Sequence, residues 1–198
     1  MVKRIFEIFF SSIVLLFSFP FMFIFGLLIF FEDFKNPIFI QERLGKNKNT
    51  FHIYKLRTMK LNSPNVGTHE TNEDMYLKSS KLIRKLKIDE FPQFLNVLIG
   101  EMSIVGPRPC LPNQYKLIKE RERMNVFSHK PGITGITQIK NIMMDQEEKQ
   151  AKVDSIYNEY FGARSDKIEN MKLYFFCILR TVLKVDLSYI DRLIENRI

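Results

Sequence analysis

The sequence predicts a small mixed α/β domain, largely helical with short strands, carried on an N-terminal membrane helix. Three observations lead there. Residues 8–31 carry no charge and include nine phenylalanines. Residues 37–43 and 51–57 read as strands on either side of Gly45-Lys46-Asn47-Lys48-Asn49, which is turn chemistry. Phe91, Phe94, Leu95 and Leu98 fall on the i, i+3, i+4, i+7 stripe of an amphipathic helix.

The expected division is an anchor over residues 1–33 and a second domain with interfacial helices over 34–198. Twenty-four uncharged residues rise roughly 36 Å as a helix, enough to cross a hydrocarbon core of roughly 30 Å. A signal peptide has a shorter apolar region and a small-residue cleavage site. This run ends instead at Phe30-Phe31-Glu32-Asp33, so it is expected to stay on the protein. Pro20 stands mid-run, where it removes a ladder hydrogen bond and crowds the carbonyl of Leu16. The segment can therefore span, or fold back in two halves. Lys3 and Arg4 before it, and Lys35, Arg43, Lys46 and Lys48 after it, satisfy the positive-inside tendency on both sides only if both ends share a face.

Past the anchor the chain is polar and basic. A net charge of +8 favours anionic partners: phosphorylated metabolites, an anionic membrane or nucleic acid. Cys110 and Cys177 form neither a disulfide framework nor a metal spacing, and His52, His69 and His129 have no ligand spacing. The aromatic residues concentrate in the anchor rather than among the basic residues, which argues against nucleic acid. Residues 61–74 read as a loop, 75–87 as helical with a cationic cluster, and 115–127 as a charged, solvated helix. Residues 131–135 make a turn into a short strand ending near Lys140. Residues 171–185 are apolar but too short to span. As a helix they would carry Lys172, Arg180 and Lys184 on one side, which fits a membrane interface or a core helix.

Lys55, Arg57, Arg84 and Arg108 are cations on separate elements, and strand alternation would put Lys55 and Arg57 on one face. Asp89 and Glu90 fall at or just before the start of the 91–98 helix, with Pro92 in its first turn. Arginines grip phosphate oxygens, and adjacent carboxylates can hold Mg²⁺ against a diphosphate. Taken singly, Asp-Glu also reads as an ordinary first-turn pair and Pro-Arg-Pro as a stiff loop.

In order, these pieces resemble the bacterial sugar transferase family, the monotopic phosphoglycosyl transferases. The matching residues are the Pro20-broken apolar segment, Gln41-Glu42-Arg43-Leu44-Gly45, and Lys55-Leu56-Arg57-Thr58-Met59. Arg84, Ile88-Asp89-Glu90-Phe91-Pro92-Gln93 and Asn96-Val97 follow. Then come Gly100 through Pro109 with its Gly-Pro-Arg-Pro end, Pro131-Gly132-Ile133-Thr134-Gly135 with Gln138, and Asp154 and Tyr157.

The resemblance implies a re-entrant anchor that breaks near Pro20, and a domain on the cytoplasmic face of the bacterial inner membrane. It implies transfer of a sugar 1-phosphate from a UDP-sugar to polyprenyl (undecaprenyl) phosphate. Asp89 matches the nucleophile that forms an aspartyl-phosphosugar and holds Mg²⁺, and Glu90 matches the second acid. Lys55, Arg57, Arg84, Arg108 and Gln138 are assigned to substrate and phosphate, and Asp154 matches a further acidic position. Three departures from the family pattern stand out. Ile136-Thr137-Gln138-Ile139-Lys140-Asn141-Ile142 stands where Trp-Ala-Gln, a hydrophobic residue and Asn-Gly-Arg are usual. Asn170 replaces a common Asp, and Glu101 replaces Asp. The first departure motivates the alternative of an inactive, membrane-bound scaffold relative. A third reading is a basic module held to anionic lipid or nucleic acid by charge alone.

Overall fold

The structure, a computed structural model, describes residues 2–63, 72–139, 146–161, 172, 174–179 and 181. The chain divides into two compact units, Met1–Gln41 with His52–Gly100, and Glu42–Phe51 with Glu101–Ile198.

The first unit is built on α1, Val2–Asp33, a single helix with Pro20 inside it. Both ends of α1 are tied to this unit. Near the N-terminus, Arg4 donates to the carbonyls of Val97 at 2.6 Å and Leu98 at 2.7 Å. These carbonyls lie in the last turn of α3, Gln93–Ile99, where a helix has no internal donor left to offer. Phe10 packs on Phe94 with ring centroids 6.2 Å apart. Beyond Pro20, Ile29 is fully buried in a core with Leu56, Leu77, Ile83 and Ile88. Glu32 accepts from the backbone amides of Lys78 and Ser79 and from the Ser79 hydroxyl. Those donors sit at the start of α2, Ser80–Lys85, whose first amides are orphaned as in any helix. Between the two tied ends, Leu16, Phe17, Phe19, Phe21, Phe23 and Ile24 are all more than half exposed.

Strands β1, Ile38–Leu44, and β2, Thr50–Leu56, form the expected hairpin. Its tip is a short 3₁₀ turn, Lys46–Lys48, with Asn47 at φ 56°. Asn96 of α3 substitutes for a strand neighbour along β2: its Oδ1 accepts from Tyr54 N at 3.2 Å and its Nδ2 donates to His52 O at 2.7 Å. The buried face of α3 is Gln93, Phe94, Asn96 and Val97, and Leu95 is 44% exposed. The apolar stripe read from the sequence is thus rotated. Asn96 turns inward because the hairpin edge needs its amide, and Leu95 turns outward.

The second unit holds β3, Ser103–Val105, and β4, Gly132–Thr134, paired in parallel with Ser103 opposite Gly132 and Val105 opposite Thr134. The connection contains α4, Tyr115–Arg123. Here Gly-Pro-Arg-Pro and Pro-Gly-Ile-Thr-Gly interlock backbone to backbone: Gly106 N donates to Thr134 O at 3.0 Å and Gly132 N to Pro107 O at 2.9 Å. A Cβ on Gly132 would stand 2.1 Å from Gly106 N, and one on Gly135 2.2 Å from Gly106 O. Glycine is required there for close approach.

Helix α4 is not merely solvated. Leu117 and Arg121, one turn apart, are buried, and Arg121 faces Asp154 at the end of α6, Glu147–Asp154. The strand expected to run toward Lys140 ends at Thr134 and gives way to α5, Ile136–Ile139. After α7, Ile156–Phe161, residues 174–179 are helical, with Tyr174 and Cys177 buried. The Thr181 hydroxyl meets that of Thr134. The described part of the 171–185 stretch therefore has a core-facing side. Arg180, Lys184, Asn170, Lys140, His69 and most of the 61–74 loop lie outside the described residues.

Candidate active site

Asp89 and Glu90 lie in a one-turn 3₁₀ segment, Ile88–Glu90, entered through Lys87 at φ 55°. Phe91 and Pro92 continue in helical conformation into α3. Pro92 has no N–H to lose at a position where none is used. Both carboxylates are half-buried. Lys55, on β2, places Nζ 3.9 Å from Glu90 Oε1. Arg84, in the last turn of α2, lies over the Tyr76 ring at 4.9 Å, a contact that fixes the guanidinium plane.

Burial pushes the Asp89 carboxyl above the usual carboxylate range, and the neighbouring charge of Glu90 pushes it the same way. Lys55 and Arg84 pull it back. The structure thus brings Lys55, Arg84, Asp89 and Glu90 together in the first unit. Among the described residues no group of three or more His, Cys, Asp and Glu could hold a metal. Two adjacent carboxylates still fit Mg²⁺, which commonly takes one or two from the protein and completes its shell with water and substrate phosphate.

Arg57 is placed elsewhere. It is 2% exposed, grips Asp33 through two 2.6 Å bonds and donates to Asn36 O at 2.7 Å. Strand β2 ends at Leu56, so the alternation that paired Arg57 with Lys55 does not reach it.

Arg108, Gln138 and Asp154 belong to the second unit. The Arg108 carbonyl accepts from Arg121 at 2.7 Å. Its charge and, more strongly, burial lower the guanidinium of nearby Arg43 to about 10. Arg43 donates to Pro109 O at 3.1 Å. Gln138 Oε1 accepts from the Thr137 hydroxyl at 3.1 Å. Asp154 is fully buried: one oxygen takes two bonds from Arg121, at 2.6 and 3.1 Å, and the other takes Thr137 at 3.2 Å. Sequence reasoning gave no role to Asn96 or Arg121. The available signal was a polar residue on the inward side of a helix, Asn96 in the 91–98 stripe and Arg121 one turn after Leu117.

An α/β chain with an exposed apolar N-terminal helix and a carboxylate pair flanked by Lys55 and Arg84 belongs to a membrane-associated class of protein. The bacterial sugar transferase family pattern matches residues 1–186, and the chain belongs to that family. It is 40% identical over 123 residues to an uncharacterized sugar transferase, EpsL, of Bacillus subtilis (strain 168), covering 62% of this chain and 60% of the relative. It is 32% identical over 190 residues to a UDP-N-acetylgalactosamine-undecaprenyl-phosphate N-acetylgalactosaminephosphotransferase of Aeromonas hydrophila, covering 92% and 44% respectively. A UDP-glucose:undecaprenyl-phosphate glucose-1-phosphate transferase of Caulobacter vibrioides is 29% identical over 91% of this chain and 68% of its own. The match therefore spans less than two thirds of the first two relatives.

Proposed function

We propose that the protein transfers a sugar 1-phosphate from a UDP-sugar to a polyprenyl phosphate, with Asp89 as the nucleophile. The observation that carries this reading is the Asp89–Glu90 pair, half-buried and flanked by Lys55 and Arg84. In the first step an Asp89 carboxylate oxygen bonds to the sugar-linked phosphorus, the bond to the UMP oxygen breaks, and UMP leaves. In the second, an oxygen of the polyprenyl phosphate bonds to the same phosphorus. The aspartyl–phosphorus bond breaks, which restores the carboxylate and yields a polyprenyl diphosphate sugar. Covalent capture splits one difficult displacement into two easier ones. Lys55 and Arg84 offset the negative charge that two carboxylates and a diphosphate bring together. Asp89, with Glu90 beside it, would hold Mg²⁺, which supplies charge neutralisation to the departing phosphate.

The same reading places α1 in the membrane as a re-entrant segment, with the catalytic domain on the cytoplasmic face where nucleotide-sugars reside. Its support is the double tether: Arg4 on α3 and Asp33 on Arg57 both belong to one compact unit. Tethers from both ends of α1 to one unit support both ends lying on one face of the membrane. The exposed apolar stretch around Pro20 is then the part that enters lipid, and unsatisfied backbone groups at the proline need a local partner there.

UMP release from a panel of UDP-sugars, with Mg²⁺ and undecaprenyl phosphate, tests the reading on wild type beside Asp89→Asn. Release that depends on Asp89 with one donor names the substrate. Silence across the panel from folded protein in lipid would sink the transferase and favour the scaffold alternative, which the departures over residues 136–142 motivate.

A further inference from the structure

Gln93 is 3% exposed, and among the described residues its Nε2 has no hydrogen-bond partner. An orphaned amide of this kind is uncommon, because a buried donor left unmade forfeits its hydration without return. Its position is fixed by its neighbours. Phe91 and Pro92 keep helical backbone and lead straight into α3, and residues three apart are neighbours on a helix surface. Glu90 therefore shares a helix face with Gln93, and Asn96 lies three residues further along. Both flanking members of this row reach β2, Glu90 at Lys55 and Asn96 at Tyr54 and His52. Gln93 is bracketed between those contacts. Asp89 is four residues before it, the other spacing that shares a helix face.

We propose that Gln93 is a ligand-binding group of the Asp89–Glu90 site, its Nε2 donating to an oxygen of the bound diphosphate; this rests on the transferase reading above. The amide suits the task. It is a neutral donor beside two carboxylates, so it neither repels an incoming anion nor pairs off permanently with Glu90 as a further lysine would. Its partner arrives with the ligand, and until then the fold carries an unmet donor.

That last point separates a ligand-binding role from a structural one. Gln93→Met keeps the length of the side chain and removes the donor. In full-length protein in lipid vesicles, the ligand-free variant should melt higher than wild type, by about 2–6 °C, because a buried unsatisfied group is gone. Its affinity for Mg²⁺-pyrophosphate, the probe for the diphosphate, should fall about 10- to 100-fold, the usual worth of a hydrogen bond to a charged oxygen. With a donor that turns over, KM should rise by a similar factor. Pyrophosphate affinity within twofold of wild type would overturn the proposal. So would a lowered ligand-free melting temperature alongside weaker binding, since the amide would then be supporting the fold. Gln93→Leu provides a second variant should methionine fail to pack. Wild type that binds pyrophosphate yet releases no UMP from any UDP-sugar would overturn the transferase reading alone, and the binding comparison would still decide the amide.

Discussion

Two acidic centres of this chain are built from the same residue types and treated in opposite ways. In the second unit Asp154 is sealed from solvent, and its oxygens are taken by two bonds from Arg121 and one from Thr137. Arg121 uses its remaining reach on the carbonyl of Arg108. In the first unit Asp89 and Glu90 are half-buried side by side, the nearest ammonium is 3.9 Å from Glu90, and burial raises Asp89. A carboxylate sealed from solvent and held by three donors can fix a loop but is out of a substrate's reach. A half-buried carboxyl held above its ordinary range costs stability and stays within reach of a ligand. The contrast supports the proposed division, structure at one centre and chemistry at the other, although the family resemblance places both aspartates among its matching positions.

The largest effect that could break this contrast is at Asp89. Asp89→Asn should lower UMP release by roughly 10⁴-fold or more, the scale of losing a nucleophile. Melting temperature should hold or rise, because a carboxyl whose charge burial disfavours is neutralised, and membrane association should be preserved. Activity within tenfold of wild type would remove Asp89 from the chemistry.

Next in size is Asp154→Ala, which strands Arg121 as a buried unpaired cation. Removing one partner of a buried pair costs about 3–5 kcal/mol, and urea unfolding should show it as a lower midpoint. Activity per folded molecule should change far less than for Asp89→Asn. A stable Asp154→Ala protein with turnover lost would instead move Asp154 into the catalytic machinery.

These two outcomes also mark what sequence could reveal. The Asp89–Glu90 pair with Lys55 and Arg84 was legible because its members sit on short, strongly patterned elements and their order is distinctive. Arg57 was read onto the face of Lys55 because strand alternation was carried one residue past Leu56, where β2 ends; its buried guanidinium is engaged with Asp33. Asp154 was legible as a position but not as a role, since a pair 33 residues apart in sequence has no periodic signature. Arg121 was hidden in a helix whose charged composition reads as solvated. For α1, Pro20 left spanning and folding back equally open. The tethers that bear on the choice, Arg4 to α3 and Asp33 to Arg57, are long-range contacts that hydropathy does not record.

A smaller effect sharpens the comparison without abolishing either centre. In the proposed reaction Asp89 must be ionised to attack phosphorus, and its carboxyl is raised first by burial and second by Glu90. The acid limb of kcat/KM should therefore lie above the ordinary carboxylate range. Glu90→Gln removes the like charge and frees Lys55 from its pair, and both changes favour ionised Asp89, so the limb should move to lower pH. Stability carries the matching sign. A carboxyl raised in the folded state contributes stability that is present below its unfolded value and lost as pH rises through the folded one. Glu90→Gln should shrink that loss, leaving the ligand-free protein more stable at neutral pH relative to acid than wild type is. An acid limb and a melting-temperature profile both unmoved in Glu90→Gln would mean that the two carboxylates do not share a field, and the first unit would then hold two independent acids rather than one coupled site.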